Sequence, residues 1–141
     1  MIADAIARLT VDGTLDTSID PRAVDEVGTA VAQVLDAHSV EAVVCWDGDD
    51  ESAFAQVVAA DLGVGIIRAQ ESLGLLSLGR RSGNPARVAL IATRWGGYRP
   101  LEPLVGLVTN EGLHPVVAVS ILASDHQPEG GLPFIVMDRR P

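Results

Sequence analysis

Two hydrophobic rhythms alternate along this chain. Ile2, Ile6 and Leu9 recur at helical spacing across residues 2–9, which predicts a short amphipathic helix that must dock on the body of the protein. A turn is expected at Val11-Asp12-Gly13-Thr14. Asp20-Pro21 then joins an N-cap residue to a proline at the first helical position. A helix is predicted from there to about His38, with Val24, Val27, Val31, Val34 and Leu35 facing inward. At Ala42-Val43-Val44-Cys45-Trp46 the helical rhythm gives way to an unbroken apolar run, the pattern of a strand covered on both faces.

The same alternation repeats downstream. An acidic loop, Asp47-Gly48-Asp49-Asp50-Glu51-Ser52, leads into a helix with Phe54, Val58 and Leu62 inward and Gly63 as its C-cap. Strands are predicted at 64–68 and 73–78, followed by an Arg- and Gly-rich turn over 79–85. Val88 to Ala92 is a second buried strand, opening into the loop Thr93-Arg94-Trp95-Gly96-Gly97-Tyr98-Arg99. Pro100 begins a helix whose inward face is Leu101, Leu104, Val105 and Val108, and Gly112 ends it. Pro103 is tolerated because first-turn N–H groups have no intrahelical acceptor. Val116 to Leu122 is a third buried strand, and a last strand is expected near 133–137 after a polar Pro/Gly link.

Buried strands alternating with helices predict an α/β fold: a mainly parallel, doubly wound sheet with flanking helices, in one domain spanning 1–141. Ligands of such sheets sit outside the carboxyl ends of the strands, in a crevice between neighbouring loops. The loops in question are 47–52 and 93–99.

Composition narrows the chemistry. The net charge is −9, from 19 acidic residues against 10 basic ones, with a pI near 4.5, so nucleic acid is not an expected partner. All ten basic residues are arginine. Without lysine there is no Walker A loop and no Schiff-base nucleophile. One cysteine makes no internal disulfide, and no stretch has the length of a membrane span, so a cytoplasmic, soluble protein is expected. Cys45 reads as a core thiol, and His38, His114 and His126 are too dispersed to form a metal or nucleophile triad.

The two loops carry the candidate chemistry. Asp47, Asp49, Asp50 and Glu51 offer oxygen ligands for a hard cation, but their spacing falls short of a calcium loop, and a solvated acid cluster at a helix N-terminus accounts for them better; no metal is assigned. Arg94 and Arg99 flank Gly96 and Gly97 at a helix start, where anions bind. Two arrangements follow. Either the arginines cross the crevice to the acids and neutralise it, with Tyr98 adding bulk, or they point inward and leave a seat for a small phosphate-bearing ligand. The excess of acids favours the first. Trp95 stands where it would stack a base or fill a pocket.

From Val88 to Leu122 the chain resembles the ribose-phosphate-binding unit of type I phosphoribosyltransferases, nearest to the orotate and adenine enzymes. Val43 to Gly63 is similar to that family's strand, pyrophosphate loop and helix, and Leu9 to Arg22 to the opening segment of the orotate enzyme. The likeness covers roughly 110 residues. It implies a phosphoribosyltransferase-like fold with a degenerate site. The family's paired acids, which hold the ribose hydroxyls of the donor, fall on Ala92 and Thr93. Its phosphate-gripping hydroxyls fall on Gly96, Gly97 and Pro100, two of its glycines become Tyr98 and Arg99, and the glycines of its pyrophosphate loop become Asp50 and Glu51. Arg68 stands near the place of a family lysine.

The resemblance therefore implies a protein that has lost transferase activity and acts as a binding or regulatory scaffold, with no cofactor. The alternative is an active nucleobase phosphoribosyltransferase with relocated acids, recruiting magnesium through Asp47, Asp49 or Asp50. A homodimer is expected, because relatives pair beside the site and the apolar face of the first helix needs cover.

Overall fold

The computed structural model describes residues 2–81, 83–124 and 130–138. Helix α1 (Ile2–Leu9) leads into a two-stranded ribbon, β1 (Thr10–Val11) and β2 (Thr14–Leu15), formed where only a turn was expected. Helix α2 (Pro21–Leu35) starts at the predicted cap: the Asp20 carboxylate accepts from the N–H groups of Arg22 and Ala23 at 3.1 and 3.3 Å. A 3₁₀ turn carries it on to His38. Val34, expected inward, is exposed on the outer side of α2.

Six strands form the main sheet in the order β5-β4-β3-β6-β7-β8. They are β3 (Ala42–Trp46), β4 (Gly65–Ser72), β5 (Leu75–Leu78), β6 (Arg87–Ala92), β7 (His114–Ser120) and β8 (Phe134–Val136). All pairings are parallel except β4–β5, an antiparallel hairpin turned by Leu73 and Gly74 with φ of 52° and 81°. Both central residues lie in the left-handed region, as a two-residue hairpin turn that matches strand twist requires.

From β3 the chain moves through α3 (Asp49–Leu62) to β4, and from β6 through α4 (Leu101–Asn110) to β7, in opposite directions along the sheet. Right-handed crossovers then place α3 and α4 on opposite faces. The side chains agree: Val43, Cys45, Ala89, Ile91, Val117 and Val119 pack against α1, α2 and α3. Val44, Trp46, Leu90, Ala92 and Ala118 pack against α4. The strand order reverses between β3 and β6, and at such a switch point the loops part to leave a crevice.

Several boundaries differ from expectation: β5 begins at Leu75 and not at 73, β7 spans His114–Ser120 and not 116–122, and two further shifts lie beside the crevice. The loop 47–52 is cut short, since α3 begins at Asp49 and takes Asp49, Asp50 and Glu51 as its first turn. Carboxylates there face the positive end of the helix dipole, which favours winding. The expected strand 64–68 runs on to Ser72 because β5 supplies its pairing partner. The apolar face of α1, the reason for expecting a dimer there, is covered within the chain: Ile6 and Leu9 are fully buried beside α2.

Candidate functional site

On one side of the crevice stand the four acids, and the structure separates them. Asp47, just past β3, is exposed and accepts a long bond from Gln70 Nε2 at 3.4 Å. Asp49 is exposed in the first turn of α3. Asp50 turns toward the N-terminal segment, where its Oδ1 accepts from the Thr17 N–H at 2.9 Å and the Thr17 hydroxyl at 2.7 Å. Glu51 turns inward and is only 3% exposed.

The Glu51 carboxylate spans the switch point. Its Oε2 accepts from the backbone N–H of Thr93 at 2.9 Å, and its Oε1 from the Thr93 hydroxyl at 2.8 Å. Arg99 approaches the same Oε1 through Nε at 3.3 Å. Burial pushes the Glu51 carboxyl above its ordinary value, and the charge of Asp50 adds to this. The bonds from Thr93 and the charge of Arg99 pull the other way and do not fully offset it.

Across the crevice the two arginines part company. Arg99 faces Glu51, and its Nε also lies 3.3 Å from the carbonyl of Arg94. Arg94 points away from the acids, donating from Nε to Ala123 O at 3.0 Å and from an outer nitrogen to Gly13 O at 3.1 Å. It ties the end of β7 to the β1–β2 ribbon. Between them the loop folds into a tight turn, with the Gly96 N–H on Arg99 O at 2.9 Å and the Arg99 N–H on Gly96 O at 3.0 Å. Gly96 and Gly97 have φ of 120° and 59°, and the Gly96 N–H is committed inside the turn.

Trp95 is buried, at 1% exposure, and its Nε1 donates to Val119 O at 3.0 Å. No ring face is left for a base to stack on, which corrects that reading in favour of the pocket-filling one. Tyr98 stands at the opposite extreme, 98% exposed. With Trp46, Asp47, Gln70, Glu71 and Pro100 it borders an open cavity of about 460 Å³ beside the crevice. Arg68 donates from Nε to the Ser52 hydroxyl at 3.2 Å, beneath α3. Among the described residues no three of His, Cys, Asp and Glu converge on a metal position. His126 lies outside the described residues.

Two features escaped the sequence reading: Thr17 as the partner of Asp50, and the burial of Glu51 against Thr93. Thr17 falls in a polar stretch with no periodic signal. For Glu51 a signal existed: it lies three, four and seven positions before Phe54, Ala55 and Val58, all buried, and so belongs to the inward stripe of α3.

No protein-family model and no curated protein sequence matches this chain. Solved structures do match it. The adenine phosphoribosyltransferase of Rhodothermus marinus superposes with a TM-score of 0.75 over 96% of this chain and 97% of its own, at 12% identity. The fold is that of phosphoribosyltransferases. The Mycobacterium tuberculosis orotate phosphoribosyltransferase, solved with inorganic phosphate, gives a TM-score of 0.68 at 17% identity, covering 96% of this chain and 84% of its own. The Leishmania tarentolae adenine phosphoribosyltransferase gives 0.62 at 18% identity, covering 87% and 74%. In a phosphoribosyltransferase fold met at such identities, what the crevice does is decided by its own side chains.

Proposed function

We propose that this chain is a phosphoribosyltransferase-like protein without transferase activity, a cytoplasmic binding or regulatory scaffold built around the crevice at the β3/β6 switch point. One observation carries the reading. At the carboxyl end of β6, where the resemblance puts two ribose-holding acids, stand Ala92 and Thr93, both buried, and the nearest carboxylate, Glu51, is already bonded to Thr93 and Arg99. A donor's ribose hydroxyls would find no free acceptor there.

The residues present do not fit a resident magnesium ion. Asp50 is committed to Thr17 and Asp47 to Gln70, and these side chains diverge instead of meeting at one point. Placement errors of an ångström cost about a hundredfold in rate, so displaced acids are a poor substitute for a missing pair.

The test is an assay for pyrophosphate release from phosphoribosyl diphosphate with orotate, adenine, guanine, hypoxanthine, xanthine and uracil. No turnover is expected. Turnover with any base, abolished by Asp49→Ala or Asp50→Ala, would overturn the reading in favour of an active enzyme. A thermal-shift screen of the same compounds then identifies what binds, since a ligand selective for the native state raises its apparent stability. The homodimer belongs to the same proposal, now resting on the exposed Leu73, Leu75 and Leu76 of the β4–β5 hairpin, and a light-scattering mass near the 14.8 kDa of one chain would remove it.

A further inference from the structure

A buried carboxylate that spends its bonds on the neighbouring loop has a second meaning in a crevice read as a binding site. Glu51 receives two hydrogen bonds from outside its own helix, from the Thr93 N–H and the Thr93 hydroxyl, and an ion-pair contact at 3.3 Å from the Arg99 guanidinium, whose single Nε–H is given to Arg94 O. Two donors fixed by the backbone and rotamer of a buried residue, beside one guanidinium charge, form a cradle whose geometry does not depend on the carboxylate being part of the chain. The side-chain contacts of Arg99 among the described residues both use Nε, so its outer amino groups remain as donors. Asp50, the adjacent acid, is turned away to Thr17 and does not compete for the cradle.

We propose that Glu51 is an internal occupant of an oxyanion seat, and that the crevice is autoinhibited by it: Thr93 and Arg99 accept a free carboxylate or phosphate monoanion only when the Glu51 carboxylate is taken away. This rests on the reading of the crevice as a binding site, and it adds the class of ligand and the means by which the chain holds that ligand off. An incoming oxyanion replaces one set of charge-assisted bonds with another, so no new charge has to be buried. Its apparent affinity is lowered by the fraction of molecules in which Glu51 still fills the seat.

The experiment is rescue of Glu51→Ala by free anions, read as thermal stability at pH 7. Sodium acetate and inorganic phosphate are titrated in separate arms, against sodium chloride at matched ionic strength and acetamide as an uncharged isostere. Acetate is expected to raise the Tm of Glu51→Ala saturably, by about 4 °C at ten times its apparent Kd. Chloride and acetamide should not do so, and the wild type should not respond. Adding Arg99→Ala should weaken the response at least tenfold. A phosphate response exceeding the acetate response would assign the seat to phosphate monoesters, and the reverse to carboxylates. An acetate curve and a phosphate curve that both follow the chloride control would overturn the proposal.

Should Glu51→Ala fail to fold, Glu51→Ser also vacates the seat and removes the charge while leaving a small polar residue in the first turn of α3. Phosphate should then shift the Arg99 guanidinium resonances in Glu51→Ser and not in the wild type, and resonances unmoved in both would overturn the seat. Transferase turnover by the wild type would remove the scaffold reading and leave these anion responses unaffected, so the two failures are distinguishable.

Discussion

Beneath α1, α2 and α3, the first face of the sheet is lined by Val, Ala, Ile and Cys45, whereas the second face, under α4 alone, holds both tryptophans. The difference follows from coverage. Three helices crowd the first face, and α2 comes so close to α3 that a Cβ on Gly28 would lie 2.5 Å from Val57 Cγ1. One helix leaves the second face short of material, and Trp46 and Trp95 supply it, each donating its indole N–H to a backbone carbonyl, of Pro100 and of Val119. A buried indole is tolerated only with such an acceptor. The crowded face thus depends on what is absent from a position, and the sparse face on what fills one.

That contrast is open to attack from both sides. The largest effect is expected on the sparse face. Trp95→Ala removes a fully buried indole and should destabilise by about 3–5 kcal/mol, read as a lower urea midpoint at unchanged slope. On the crowded face Gly28→Ala should cost about 1–3 kcal/mol although alanine is the better helix former, because Val57 has no free end to move aside. Combining Gly28→Ala with Val57→Ala should recover much of that loss, and strict additivity in the double-mutant cycle would show that the contact does not set the helix spacing.

Between these faces runs the Glu51 link. Glu51→Ala strands the buried Thr93 N–H and should cost about 1–3 kcal/mol, while Glu51→Gln should stay within about 1 kcal/mol of wild type at pH 7. The pH dependence has a definite sign. The folded Glu51 carboxyl is raised above the ordinary 4.5, so the folded state holds that proton more tightly than the unfolded chain. Its contribution therefore falls as pH rises from about 4.5 through the raised folded value, and the penalty is complete above it. The wild-type curve minus that of Glu51→Gln should show this decline, and parallel curves would remove it. The smallest effect belongs to the hairpin: Leu75, 75% exposed in the single chain, should tolerate Leu75→Thr within about 0.5 kcal/mol at concentrations too low for a dimer.

The architecture was legible in the sequence because its signals are local and strong. The run Ala42–Trp46, the Asp20-Pro21 start and the Gly63 and Gly112 stops each carry their own chemistry, and each stands where expected. What could not be read were choices that depend on the partner across a gap. The extension of β4 to Ser72 waits on β5, and the exposure of Val34 on where α3 packs. The opposed fates of Asp50 and Glu51 depend on Thr17 and Thr93, which lie 33 and 42 residues away. An arginine crossing to the acids was foreseen for Arg94 or Arg99, and the chain uses Arg99, because Arg94 is held by carbonyls at the other end of the loop.

The lone cysteine turns the centre of this sheet into a clock. Cys45 is wholly buried in β3, its thiol pushed up to about 12 chiefly by burial, with Glu51 adding to the effect. Only the thiolate attacks an alkylating reagent, so the folded molecule offers neither access nor nucleophile. Every modification event must then wait for β3 to part from its neighbours. When the reagent outpaces reclosing, the labelling rate counts openings directly, and in the opposite limit it reports their free energy. Because β3 lies on the switch point itself, any ligand that settles in the crevice would slow that clock, and it would be timed without a tag or an assay for turnover.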